Sequence, residues 1–189
     1  DGTLPPFIVV AISNTDARRD EYTPTFVAFK RDDGLVVKGG GKANLYGRFL
    51  LKELKPFIDR TYRTRTDAAS TAVGGASHGG LVSLYLALEH PRVFGQALVL
   101  SPSAMWDNDV VIKRVLALPR KLPVRFWVDV GALEPVDLVG HQVGVPADAG
   151  GVGRVGHGVL PALVVERVGE LIPAVGDVGQ VVLVERPRE

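Results

Sequence analysis

Apolar residues fall in short continuous blocks, separated by polar stretches in which they recur at helical spacing. Phe7-Ile8-Val9-Val10-Ala11-Ile12 follows Pro5-Pro6 and is rich in β-branched residues, which predicts a buried parallel strand. The polar, charge-rich segment 13–24 reads as a loop. Across residues 42–59, Leu45, Tyr46, Phe49, Leu50, Leu54, Phe57 and Ile58 repeat with a helical period, and Pro56 is placed to kink or divide that helix. Residues 71–76 read as a second strand. Residues 81–89 are apolar on nearly every side, which predicts a buried helix that His90-Pro91 stops. A third strand (97–100), a helix (110–118) and a fourth strand (124–130) follow, and Gly39-Gly40-Gly41 reads as a flexible loop. Strand and helix alternate throughout, so the expected class is α/β, with a mostly parallel sheet and helices on both faces.

That regular pattern stops near Gly131. All 13 aromatic residues of the 189-residue chain lie at or before Trp127. Residues 132–189 hold 15 Val and 10 Gly in 58 positions, while residues 1–131 hold 15 Val and 12 Gly. The first part carries 18 basic and 13 acidic residues, the tail 4 and 8. Every tail residue except Ile172 has a codon beginning with G or C, the signature of a GC-rich gene read in a shifted frame. A genuine Val/Gly-rich end is the alternative. The expected organisation is therefore a partial α/β domain at 1–131 and an anomalous tail at 132–189 that packs weakly.

The overall charge excludes some partners. Lys plus Arg is 22 and Asp plus Glu is 21, so the formal net charge is +1, and binding driven by a nucleic-acid backbone or an anionic membrane is not expected. No apolar run approaches the roughly 18 residues of a membrane helix. The lack of cysteine removes disulfides, thiolate metal sites and cysteine nucleophiles, and leaves the redox compartment open. Starting at Asp1 without a leader, the chain reads as an internal fragment.

The chemistry centres on Gly75-Ala76-Ser77-His78-Gly79, a G-x-S-x-G between a predicted strand and a predicted helix. In that context the chain turns sharply and lifts the Ser77 hydroxyl above the strand ends. Small residues at 75 and 79 allow the backbones to approach. The backbone N–H of His78, at a helix N-terminus, is placed to hold an oxyanion. A tight Gly-rich turn with a capping serine is the plain structural alternative. A dinucleotide-binding loop is disfavoured because the segment lacks G-x-G-x-x-G spacing.

The run TAVGGASHGGLVSLYLALEHPRVF (71–94) resembles the nucleophile segment of an α/β-hydrolase esterase family. That family includes enterochelin (siderophore) esterases, feruloyl esterases, S-formylglutathione hydrolases and mycolyltransferases. PPFIVVAISNTDARRDEYTP (5–24), LLKELKPFIDRTYRTRTD (50–67), LSPSAMW (100–106) and RFWVDVG (125–131) agree, so the resemblance covers about residues 5–131. It implies a serine carboxylic-ester hydrolase of α/β-hydrolase fold with Ser77 as nucleophile, a small-molecule ester as substrate and no cofactor. The strand and loop that supply the family's second oxyanion N–H would precede Phe7. The family's acid follows the strand matching 124–130, where Glu134 is nearest and Asp137 next. His157, 80 residues after Ser77, falls in the range of the family's histidine. A non-catalytic binding module that keeps the turn and lacks the base is the second functional class, and an acyltransferase is a third option.

The remaining candidates have plainer readings. His78 is expected to direct its side chain to the rim, His90 to cap a helix and His141 to face solvent. His141 has no metal-ligand partner at a meaningful spacing, and no metal site is expected. Asp129 reads as an ordinary strand-end residue. Trp106, after Ser101-Pro102-Ser103, is a candidate wall of the acyl pocket, with core packing as the alternative. Arg18, Arg19, Glu21 and Tyr22 follow the first strand and could contact substrate, or form a solvated loop.

Overall fold

A computed structural model describes residues 6–30, 32–130, 153–155 and 178–187. Among the described residues the main sheet has six strands: β1 (Phe7–Ser13), β4 (Thr71–Ser77), β5 (Gln96–Pro102), β6 (Arg125–Val130), β7 (Gly153–Val155) and β8 (Val178–Glu185), in the spatial order β1-β8-β4-β5-β6-β7. β4 pairs in parallel with β5, and β5 with β6. β8 is antiparallel to both β1 and β4, which therefore share the direction of β5 and β6. β2 (Phe26–Lys30) and β3 (Val36–Gly40) form a separate antiparallel ribbon.

β8 belongs to the Val/Gly-rich tail, and it lies within the sheet between β1 and β4. Its residues Gln180, Val182 and Val184 are buried, at the period of two that a strand requires. Val182 and Val184 line a small cavity together with Val10, Leu50, Ile58 and Phe94. The tail's overall Val/Gly content hides this short β-forming run, whose branched side chains suit a pleated, covered surface. β1 is also not buried between parallel neighbours. Among the described strands it lies at the end of the sheet, and its partner β8 is antiparallel, from Phe7 opposite Glu185 to Ile12 opposite Gln180.

The helices centre on α4 (His78–Glu89), in which every residue from Gly79 to Leu88 is buried. α4 packs on β4, β5 and β8 and also meets α1 (Arg18–Tyr22), α2 (Ala43–Phe49) and α5 (Val110–Leu116). This surrounded position explains why its sequence is apolar all round rather than striped. Gln180 lies beneath it, donating from Nε2 to Ser83 Oγ at 3.1 Å, and Ser83 in turn donates to the Gly79 carbonyl at 2.7 Å.

The expected helix over 42–59 is α2, a π turn over Leu50–Leu54, and α3 (Lys55–Thr61). Pro56 has no N–H to continue the i→i−4 ladder. Immediately before it, the Lys55 N–H reaches five residues back to the Leu50 carbonyl, so the turn widens instead of breaking. Lys55 is buried, and its ammonium meets Asp59 Oδ2 at 2.7 Å.

Two polar segments are more ordered than their composition suggests. Within 13–24, Arg18–Tyr22 is a short helix and Tyr22 is fully buried. Gly39-Gly40-Gly41, expected as a flexible loop, has φ of 144, 101 and 88° and is tightly packed. A Cβ on Gly40 would lie 2.4 Å from the Thr25 carbonyl oxygen and 2.7 Å from the Trp106 ring. Asp20 accepts the Gly40 N–H at 2.8 Å and pairs with Lys42 at 2.7 Å. No described helix is long and apolar enough to cross a membrane.

Candidate active site

Ser77 is the last residue of β4, and α4 begins at the next residue. Its backbone is at φ 57°, ψ −122°, a region that costs a non-glycine residue roughly 1–3 kcal/mol and persists only where the surroundings enforce it. The surroundings are two close backbone approaches. A Cβ on Gly75 would meet the Gly79 carbonyl carbon at 2.9 Å, and one on Gly80 would meet the Leu100 carbonyl oxygen at 2.8 Å. The first approach folds the turn back on itself; the second seats α4 on β5.

The neighbouring strand bends at the same level. Ala76 stands opposite Leu100 but Ser77 opposite Pro102, so β5 has one extra residue there, Ser101, at φ 36°. The bulge carries the chain over the turn. The Ser103 N–H donates to the Ser77 carbonyl at 3.1 Å, and the two hydroxyls are 3.2 Å apart. The Ser77 side chain is exposed.

His78 opens α4, so its backbone N–H belongs to the first turn, where amides have no intrahelical acceptor. Its side chain is half-buried, with Nδ1 3.4 Å from Ser103 Oγ and its ring 5.7 Å from that of Trp106 in an edge-on arrangement. Nε2 is buried and has no hydrogen-bond partner among the described residues. Burial first, then the positive charges of Arg18 and Arg19, hold the imidazole below the ordinary histidine range.

Trp106 stands beside the site through His78, and its other contacts are structural. Its indole N–H donates to the Thr25 carbonyl at 3.1 Å and its ring covers Gly40. Arg18 lies over the Tyr22 ring at 5.6 Å. His90 caps α4, its N–H donating to the Leu86 carbonyl at 2.9 Å, and burial lowers its pKa. Asp129 pairs in register with Leu100 near the end of β6, and its Oδ1 is buried with no partner among the described residues. Glu134, Asp137, His141 and His157 lie outside the described residues.

Ser103 carries no role in the sequence reading, although its hydroxyl is in contact with that of Ser77. The available signal was Ser101-Pro102-Ser103 at the end of the strand adjacent to the nucleophile strand. The contact becomes apparent only once the β4–β5 register and its bulge are known.

The family model described as "Putative esterase" matches residues 1–141. The chain belongs to that family. Its fold is of the α/β-hydrolase type, as the strand–turn–helix of β4 and α4 in a mostly co-directional sheet requires. The ferri-bacillibactin esterase BesA of Bacillus subtilis is 30% identical over 146 residues, covering 70% of this chain and 50% of that protein. The siderophore enterobactin esterase of Emericella nidulans is 31% identical over 72 residues, covering 38% and 24%. Among solved structures, an IroE-like serine hydrolase from Shewanella oneidensis aligns with a TM-score of 0.47 at 26% identity, over 55% of this chain and 34% of that one. The esterase chain described here spans half or less of the length of these relatives.

Proposed function

We propose that this chain is a serine carboxylic-ester hydrolase in which Ser77 forms the acyl-enzyme, acting on a small ester of siderophore or aryl type. The observation that carries the reading is the backbone of Ser77. A non-glycine residue at φ 57° sits between a central strand and a buried helix with its side chain exposed. Strain of this kind is retained where it presents a reacting group. The names of the siderophore esterases among the relatives support the substrate class.

In the proposed reaction the Ser77 oxygen attacks the ester carbonyl, and the His78 N–H stabilises the oxyanion from the start of α4. Glu134 and His157 are the proposed acid and base of the complete site. Trp106, edge-on to His78, would bound the acyl side. Incubation with a fluorophosphonate followed by peptide mass spectrometry tests the assignment. A stoichiometric adduct on Ser77, lost in Ser77→Ala, is expected. A folded protein that stays unlabelled would instead be a binding module built on the same turn.

A further inference from the structure

We propose that Gln180, from β8, is a positioning residue for the reaction at Ser77. It acts through Ser83 and fixes the peptide on which the nucleophile turn closes. The inference rests on Ser77 being the nucleophile and on the His78 N–H being an oxyanion donor.

The contacts run in one direction. Gln180 Nε2 lies 3.1 Å from Ser83 Oγ, and Ser83 Oγ lies 2.7 Å from the Gly79 carbonyl oxygen. A carbonyl only accepts, so the single proton of the Ser83 hydroxyl goes to Gly79. The Ser83 oxygen then accepts from Gln180, which turns its amide nitrogen toward it. The far end of this chain is the group that closes the turn. A Cβ on Gly75 would lie 2.9 Å from the Gly79 carbonyl carbon and 3.0 Å from its oxygen. The bonded carbonyl therefore belongs to the same first turn of α4 as the His78 N–H.

Position and chemistry both single out Gln180. Gly74 pairs with Val181, so Gln180, the next residue of β8, is level with Gly75. On the same face of β8, Val182 and Val184 are buried in the apolar core. An apolar side chain could pack at 180 as it does at those positions, and a buried amide is costly unless it is hydrogen-bonded. The polar side chain stands at the level of the turn. Gln180 and Ser83 are both fully buried, so water does not compete for their bond.

A helical serine can bond by itself to the carbonyl four residues back. With Gln180 donating to it, the Ser83 hydroxyl is held on Gly79, and successive bonds in such a chain strengthen one another. Without Gln180 the hydroxyl is free to turn and the Gly79 peptide to tilt. The His78 N–H then points less well at the place where the oxyanion forms. Such a donor acts in the transition state more than in the ground state, so its misplacement lowers the maximal rate and leaves binding unchanged.

Saturation kinetics of fluorophosphonate labelling of the full chain test this, at a temperature where circular dichroism shows each variant folded. Gln180→Met keeps the length of the side chain and removes the amide. Its maximal labelling rate should fall about fivefold, the scale of one hydrogen bond, with the half-saturating concentration unchanged. Gln180→Leu is a second removal of the amide, with the same expectation. Ser83→Ala should slow labelling at least as much, and Ser83→Thr, which keeps the hydroxyl, should restore the rate. The double variant Gln180→Met/Ser83→Ala should label no more slowly than Ser83→Ala, because the two residues act through one chain. A merely structural role would move the melting temperature and leave the rate of the folded protein as it was. Parent-like maximal rates in the folded Gln180 variants overturn the proposal, as do losses that multiply in the double variant. If Ser77→Ala labels as fast as the parent, the nucleophile assignment itself falls, a result distinct from failure of the Gln180 chain.

Discussion

The indole N–H of Trp106 donates to the backbone carbonyl of Thr25, 81 residues earlier in the chain, at 3.1 Å. This bond fastens the segment that follows β5 to the start of the β2–β3 ribbon, and the Trp106 ring fills the space over Gly40 that a side chain there would occupy. Trp106→Phe keeps most of the ring and removes the donor, leaving the Thr25 carbonyl to find another partner. We expect a loss of about 1 kcal/mol in urea unfolding. Trp106→Ala should cost more, about 3 kcal/mol or above, because it also empties the space against Gly40 and His78. Equal losses in the two variants would mean that the ring contributes nothing by packing.

Gly75 and Gly80 hold the turn closed. Gly80→Ala places a methyl 2.8 Å from the Leu100 carbonyl oxygen, and Gly75→Ala places one 2.9 Å from the Gly79 carbonyl carbon. Both obstacles are backbone, which cannot rotate away. Each substitution should destabilise by about 1–3 kcal/mol and also slow fluorophosphonate labelling, since the strain at Ser77 depends on these approaches. Thermal melts together with labelling rates measure the two effects. An alanine at either position that leaves both unchanged would show that the approach is not required.

The interior place of β8 is tested by charge. Val182 is 4% exposed between β1 and β4. Val182→Asp would bury a carboxylate among apolar side chains, where the neighbouring Lys55 ammonium is already held by Asp59, at a cost of several kcal/mol, and should leave the chain largely unfolded by circular dichroism. Cutting the chain before residue 178 should act the same way, because β1 loses its strand partner. A truncated protein with undiminished stability would mean that β1 and β4 hold without β8.

Acid should weaken the fold in two separate ranges. His78 and His90 both titrate below the ordinary 6.5, each chiefly through burial. The unfolded chain therefore takes up protons near 6.5 that the folded chain refuses, so stability falls as pH drops from above 6.5 through the depressed folded values. Asp20 and Asp67 are lowered from 3.8, Asp20 mainly by its bond to Lys42 and Asp67 by the Ser70 hydroxyl and the Arg65 charge against its desolvation. Their contribution is present above 3.8 and is lost only as pH falls through their lower folded values. Urea midpoints should thus decline between pH 7.5 and 5, and His90→Gln should reduce that decline. A midpoint that rises on acidification to pH 5 would contradict the assignment.

Much of the local structure was legible in the residues themselves. The apolar blocks at 7–12, 71–76, 97–100 and 124–130 are the strands β1, β4, β5 and β6, because burial on a pleated sheet selects continuous β-branched runs. The helix stop at His90-Pro91 and the interruption near Pro56 follow from the chemistry of proline. The β2–β3 ribbon was missed: Phe26, Phe29 and Val36 are exposed on it, so no alternation marks a buried face. Glycines 39–41 read as slack for a related reason, since the pattern shows freedom of φ but not what packs against it.

What the chain determines by itself is the strand–turn–helix around Ser77. Strand period, glycine placement and the apolar helix all act within about 20 residues, and short-range sterics need no distant partner to express them. What only the tertiary structure decides is which groups meet there. Ser103 reaches Ser77 because a bulge shifts the β4–β5 register by one residue, and β8 enters the sheet antiparallel, a place that no local periodicity specifies. A strand's pattern shows which face it buries. Its neighbour and direction come from the competition of all edges for hydrogen bonds once the chain has collapsed.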